Sequence, residues 1–352
     1  MTYFETIQAA LWGKPVPSAP LSDEQLQLHM QQGTATLVFP LLPMTMPMKS
    51  VCVYNLQQQI KIYHTLVTAW KALAEAGIRP LLMKGASLAA LYPDPQMRTS
   101  GDIDLFVGIE QYHPSCAVMR ETFPDALKFD EELDHYKHYN LIADGISIEI
   151  HRVSVGFQHP IDERRYARME QYGQSQGERL MINELEVKVF EPTFNALFVM
   201  LHSWEHMITA GANVRQLCDL ALLLHRYHER IDAPRLERWL KALHLLDVWQ
   251  LYMYLLVRYL GLPQSETFFY TERVQVRAER LVQDLLAGKM VEPKEPTKAS
   301  SNRFLRKWHT MEGRLSNARR IAAYSPAYAR HMNATTLLHG ALRLFAKDRH
   351  WE

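Results

Sequence analysis

The apolar positions of this chain change period twice, and the two changes divide it into helical, mixed and helical parts. In residues 1–78 the spacing is helical. Residues 4–12 form a short amphipathic piece, and Ser22-Asp23-Glu24-Gln25 reads as a capping box opening a helix that runs to Met30. A long stripe (Val53, Leu56, Ile60, Tyr63, Leu66, Trp70, Leu73) then predicts a helix over 51–76 that ends at Gly77. Between 79 and 190 the pattern shortens to alternation, predicting strands at 80–84, 102–107, 138–143, 146–153 and 185–190. Helices are expected at 86–91 and at 114–122, the latter with Pro114 in its first position. The polar stretch 158–179 reads as a solvated helix and loop. From 191 to 292 helical spacing returns, with helices at 214–225, 232–242, 248–260 and 272–287, and one capped by Thr193 that runs through His206. Residues 293–352 read as a linker rich in turn-formers followed by a basic helical tail. The fold class expected is α+β: a mixed sheet with helices packed on it, flanked by N-terminal helices and a C-terminal helical domain.

Chemistry concentrates in the mixed part. In Asp102-Ile103-Asp104 on a strand, the two carboxylates project from one face about 6 to 7 Å apart, while Ile103 and Leu105 face the other way. Paired carboxylates on a buried strand repel and lose hydration unless a cation joins them, and hard oxygen ligands suit Mg²⁺. In the alternation from Ile146 to His151, Glu149 is the acid, with Ser147 and His151 on its face. Asp144-Gly145 before it is a hairpin turn signal. If the two strands lie side by side, three carboxylates converge and can hold two metals for in-line phosphoryl or nucleotidyl transfer. Lys84 and the backbone N–H groups from Gly85 to Ser87 would then meet a triphosphate. This reading requires Glu149 to lie beside the aspartates, and none of the three acids to be turned inward against a lysine or arginine.

At these residues the chain resembles the polymerase-beta-like nucleotidyltransferases, and more narrowly the bacterial family described as uncharacterised nucleotidyltransferases. The matching text is Lys84-Gly85-Ala86-Ser87-Leu88-Ala89, Leu91-Tyr92-Pro93, Arg98, Gly101-Asp102-Ile103-Asp104-Leu105 and Glu149-Ile150-His151. Leu201-His202 and Arg215-Gln216-Leu217-Cys218-Asp219-Leu220 follow. The small pair after the first strand, usually Gly-Ser or Gly-Gly, is here Gly85-Ala86, with Ser87 displaced by one. The resemblance implies transfer of a nucleoside monophosphate from an NTP, with two Mg²⁺ or Mn²⁺ ions on Asp102, Asp104 and Glu149. Lys84, Gly85, Ser87, Arg98 and Gly101 would bind the nucleotide. His151, His202, Arg215 and Asp219 would line the pocket. The acceptor stays open among a small molecule, a protein side chain and an RNA end. A non-catalytic nucleotide-binding module of the same fold is the alternative.

Composition adds bounds rather than chemistry. Lys and Arg total 39 against 38 Asp and Glu, so no global field draws the chain to nucleic acid or membrane. Cys52, Cys116 and Cys218 lack metal-ligand spacing and read as reduced thiols of a cytoplasmic protein. Neither a secretory leader nor a membrane span is visible. The tail arginines and lysines between Arg303 and Arg349 read as a solvated face, with RNA binding the less favoured reading. His202-Ser203-Trp204-Glu205-His206 matches the inverted zincin pattern, which keeps a zinc hydrolase as a further alternative, although the sequence supplies no third ligand.

Overall fold

The computed structural model describes residues 3–16, 20–129, 133, 135–157, 159–209, 211–289 and 318–345. The predicted linker from Pro293, and the tail residues up to Arg314 and beyond Phe345, lie outside them.

Five strands form one mixed sheet in the order β1 (Leu81–Met83), β2 (Asp102–Phe106), β5 (Ile146–His151), β4 (His138–Ala143), β3 (Leu127–Lys128). β2 and β5 run parallel, and every other pairing is antiparallel. The β4–β5 hairpin closes through Asp144 and Gly145, with φ of 50° and 77°. Two consecutive left-handed residues are what a type I′ turn requires, and Asp-Gly supplies them at little steric cost.

The two faces of the sheet differ in chemistry. Ile103, Leu105, Leu141, Ile146, Ile148 and Ile150 point to one side, where Ile62, Leu66, Ala69 and Leu73 of α4 (Met46–Glu75) cover them. Tyr112, Cys116 and Met119 of α6 (Gly108–Thr122) complete that layer. Each fully buried aliphatic side chain there contributes about 1.5–3 kcal/mol of transfer free energy. The opposite face carries the acids. Above it lie α8 (Pro192–Thr209) and α9 (Val214–Tyr227), which belong to a second apolar cluster with α10 (Ala233–Ala242), α11 (Leu246–Arg258) and α12 (Gln275–Leu286). The helix α1 (Tyr3–Trp12) packs on this second cluster rather than on the sheet: the Trp12 indole donates to the Leu260 carbonyl and Gln8 to that of Tyr259. Among the described residues, no helix is long and apolar enough to cross a membrane.

Several expectations shift. The buried stripe of α4 is Ile62, Thr65, Leu66, Ala69 and Leu73, whereas Val53 and Ile60 are about half exposed, because only the second half of the helix reaches the sheet. Pro114 sits inside α6 instead of opening it; burial of Tyr112, Ser115, Cys116 and Met119 on both sides outweighs the hydrogen bond the proline removes. Glu191, not Thr193, caps α8, accepting from the Phe194 amide at 3.0 Å. A strand absent from the expectation, β6 (Glu178–Ile182), starts at the end of the polar stretch and pairs with β7 (Leu185–Val189) through a turn at Asn183.

That stretch also holds α7 (Pro160–Ser175), which buries Tyr166, Met169 and Glu170. The Glu170 carboxyl accepts from the Ser154 amide at 2.7 Å and from its hydroxyl at 2.5 Å, yet burial pushes it up to about 7. A carboxyl raised in the fold favours folding while protonated. Its contribution is intact below the ordinary glutamate value of 4.5 and is lost as pH climbs towards 7. Glu170→Gln removes this titration, so the thermal midpoint of the variant is expected to gain on the parent between those two pH values. A difference between the two melts that stays constant with pH would refute the assignment.

Candidate functional site

The site begins where β1 ends. Lys84 (φ 46°) and Gly85 (φ 42°) are both left-handed and swing the chain from the strand into α5 (Gly85–Ala89). A Cβ on Gly85 would meet the Asp102 carbonyl oxygen at 3.2 Å, so the residue passing over β2 has to be small. Lys84 adopts this backbone despite its Cβ, a conformation that costs on the order of 1–3 kcal/mol and marks sites that the surroundings over-determine. Ser87 braces the turn, its hydroxyl donating to the Lys84 carbonyl at 2.7 Å and its amide to the same oxygen at 2.9 Å.

The parallel register sets Asp104 opposite Glu149 and Asp102 opposite Ser147. One oxygen from each of Asp102, Asp104 and Glu149 lies within 4.8 Å of the others, an acidic group placed to hold a metal ion. A lysine and a histidine already face them. Lys84 Nζ is 2.9 Å from Asp104 Oδ1, and His151 Nε2 is 3.0 Å from both that oxygen and Glu149 Oε2. Asp104 is therefore fully buried against a lysine, which counts against the requirement stated above, while Glu149 is adjacent, as required. Asp104 Oδ2, however, is buried without any hydrogen-bond partner. A lone pair left open there, beside two more carboxylates, fits a hard cation such as Mg²⁺ or Mn²⁺.

The charges divide unevenly. The Asp104 carboxylate raises the Asp102 carboxyl, and burial adds to this. Burial would raise Asp104 too, but Lys84 and the hydrogen bond from His151 hold it far below the usual carboxylate range. For Lys84, burial is outweighed by Asp104, Asp102 and Glu149, so the ammonium stays charged. His151 is likewise raised against burial by its bonds to Asp104 and Glu149, which favours the imidazolium. Lys84 is thus the built-in counter-ion of three acids.

α8 and α9 form the opposite wall of a cavity of about 110 Å³, bringing His202, His206, Arg215 and Asp219 to face Lys84 and Asp102. Arg98 also lines it, but its guanidinium is committed: Nε meets Asp219 Oδ1 at 2.7 Å and Nη2 meets Oδ2 at 2.8 Å, with both side chains buried. The Tyr92 hydroxyl donates to the same carboxylate at 2.8 Å. This bidentate clamp ties the 92–98 loop to α9. The i,i+4 contact from Arg215 to Asp219 is long, 3.8 Å, and Arg215 also lines the cavity. Gly101 has open space where a Cβ would stand. His202 and His206 lie ring to ring at 4.4 Å, and burial, reinforced by Lys84, keeps both imidazoles below their ordinary value. Glu205 turns to Lys137 at 3.3 Å. Among the described residues, the helix bearing the zincin-like pattern joins no group of three metal-ligating side chains. Sequence reasoning missed His138, although the alternation of β4 puts it on the polar face, opposite His151.

Carboxylates thus alternate on one strand, a third stands in register on its parallel neighbour, and a tight turn lies beside them. Residues 32–261 match the family described as "Uncharacterised nucleotidyltransferase", and the chain belongs to that family. The matched span takes in the whole sheet and both helices over the cavity. Among solved structures, an antigenic nucleotidyltransferase-like protein from Paracoccidioides brasiliensis is similar to it at 19% identity, over 50% of this chain and 85% of that one, with a TM-score of 0.33. Comparison with curated proteins gave no match.

Proposed function

We propose that the chain moves a nucleoside monophosphate from an NTP to an acceptor hydroxyl or similar group, releasing pyrophosphate. The observation that carries this reading is the in-register Asp104–Glu149 pair, with Asp102 on the same face and a buried Asp104 oxygen left open. Divalent ions held by Asp102, Asp104 and Glu149 would neutralise the triphosphate and lower the pKa of the acceptor hydroxyl. The chain's own residues do the rest. Lys84 and Arg215, facing one another across the cavity, bind the phosphate oxygens as cationic donors. Gly85 lets the backbone pass close to the phosphates, and Ser87 keeps that turn in shape. Gly101 leaves room at the start of β2. His151 fixes the facing oxygens of Asp104 and Glu149, and the Arg98–Asp219 clamp keeps the loop from collapsing into the cavity. His202 and His206, whose imidazoles burial keeps below their ordinary value, line the same cavity and would meet the nucleotide or the acceptor.

Calorimetry with each NTP and Mn²⁺, followed by pyrophosphate release in the presence of candidate acceptors, tests this. NTP binding that survives both Asp102→Asn and Asp104→Asn unchanged would remove the metal-dependent reading. One observation favours a second reading, a nucleotide-binding module without turnover: Asp104 is fully buried with Lys84 on its Oδ1. Tight NTP binding with no pyrophosphate released to any class of acceptor would select it.

A further inference from the structure

We propose a second metal site on this sheet, in which His138, His151 and Glu149 bind a borderline-soft divalent ion of the zinc class. The antiparallel register of β4 and β5 pairs His138 directly with His151, and their rings lie 4.9 Å apart at 46°. One ligand atom from each of the three side chains lies within 4.8 Å of the others. Glu149 Oε2 stands 3.0 Å from His151 Nε2 and 3.9 Å from His138 Nδ1. Ligand atoms about 2.0–2.1 Å from a tetrahedral ion are separated by roughly 3.3 Å, so the two observed spacings straddle that value.

A separate observation points to a missing ligand. His138 Nδ1, the atom of that ring nearest Glu149 Oε2, is buried without a hydrogen-bond partner. Buried imidazole nitrogens are ordinarily satisfied, and an orphaned one beside a carboxylate and a second imidazole marks a place for a shared cation. The donor chemistry differs from that of the carboxylate trio. Two nitrogens and one oxygen favour Zn²⁺, Co²⁺ and their neighbours over Mg²⁺, and three protein ligands leave a coordination position for water. Glu149 belongs to both sets, so an ion on the imidazole side draws an oxygen away from the trio, and zinc is expected to weaken Mn²⁺ binding there.

The test is a titration of the full chain with Co²⁺ alone, followed by its visible d–d absorption. One equivalent is expected to bind, with affinity falling by at least about tenfold in His138→Ala. His138→Gln repeats the measurement with a larger side chain, and circular dichroism verifies that each variant is folded. Asp102→Asn is expected to retain the cobalt band while losing Mn²⁺-dependent NTP binding, which separates failure here from failure of the transferase reading. A band absent from the parent, or unchanged in folded His138→Ala and His138→Gln, overturns the site.

Discussion

Asp102→Asn is expected to lower nucleotidyl transfer by about a thousandfold while leaving the metal-free protein as stable as the parent or more so. On the proposed function the loss follows from removing one oxygen ligand of an ion that would supply several kcal/mol of charge stabilisation, about 10³ in rate at 1.36 kcal/mol per decade. The stability effect has the opposite sign for a local reason. The Asp102 carboxyl is raised in the fold, chiefly by Asp104, so its ionised form is disfavoured there relative to the unfolded chain. As with Glu170, an acid raised in this way costs the fold stability as pH climbs above its unfolded value, and the neutral amide escapes that cost at neutral pH. Paired measurements of pyrophosphate release and of thermal midpoint in EDTA check both halves. A variant that loses stability together with activity would show Asp102 to be a structural carboxylate.

Lys84→Met is expected to have the largest effect on stability, and one that metal reverses. The ammonium lies 2.9 Å from a fully buried carboxylate, and removing one partner of a buried pair typically costs about 3–5 kcal/mol. In EDTA the midpoint should fall accordingly. With Mn²⁺ it should recover, because a divalent ion can take the place of the missing charge among Asp102, Asp104 and Glu149. Mn²⁺ affinity itself should rise by about tenfold or more, since a unit positive charge a few ångströms away opposes cation binding by on the order of 1–4 kcal/mol. NTP affinity should move the other way if Lys84 also meets the phosphates. An Mn²⁺ affinity equal to that of the parent would mean that the lysine does not compete for the acids.

Much of this site was legible in the sequence because strands alternate. The period of two put Asp102, Asp104, Glu149 and His151 on polar faces, and Asp144-Gly145 announced the hairpin that delivers the last two. Pairing between distant strands was the step left to inference, and the parallel β2–β5 register supplied it. What stayed hidden depends on tertiary partners. Arg215 and Asp219 stand at i,i+4 spacing on one helix, yet the carboxylate is taken by Arg98 from a loop far away in the chain. Arg98, expected to bind the nucleotide, has its guanidinium engaged by Asp219. β6 was missed because its side chains alternate only between half-buried and exposed, a weak contrast for a hairpin that packs at the margin of the core. The α4 stripe was misplaced because a helix longer than its footprint leaves apolar residues over solvent.

The sheet that carries the acids is bordered by its two shortest members, three residues of β1 and two of β3. A margin that brief exposes few free backbone donors and acceptors, too few to template a strand from another copy. The long, well-paired strands bearing the aspartates and Glu149 lie inside, with both of their hydrogen-bonding edges used. A chain built this way can keep a charged, poorly solvated centre in a β-sheet without inviting fibrous self-assembly.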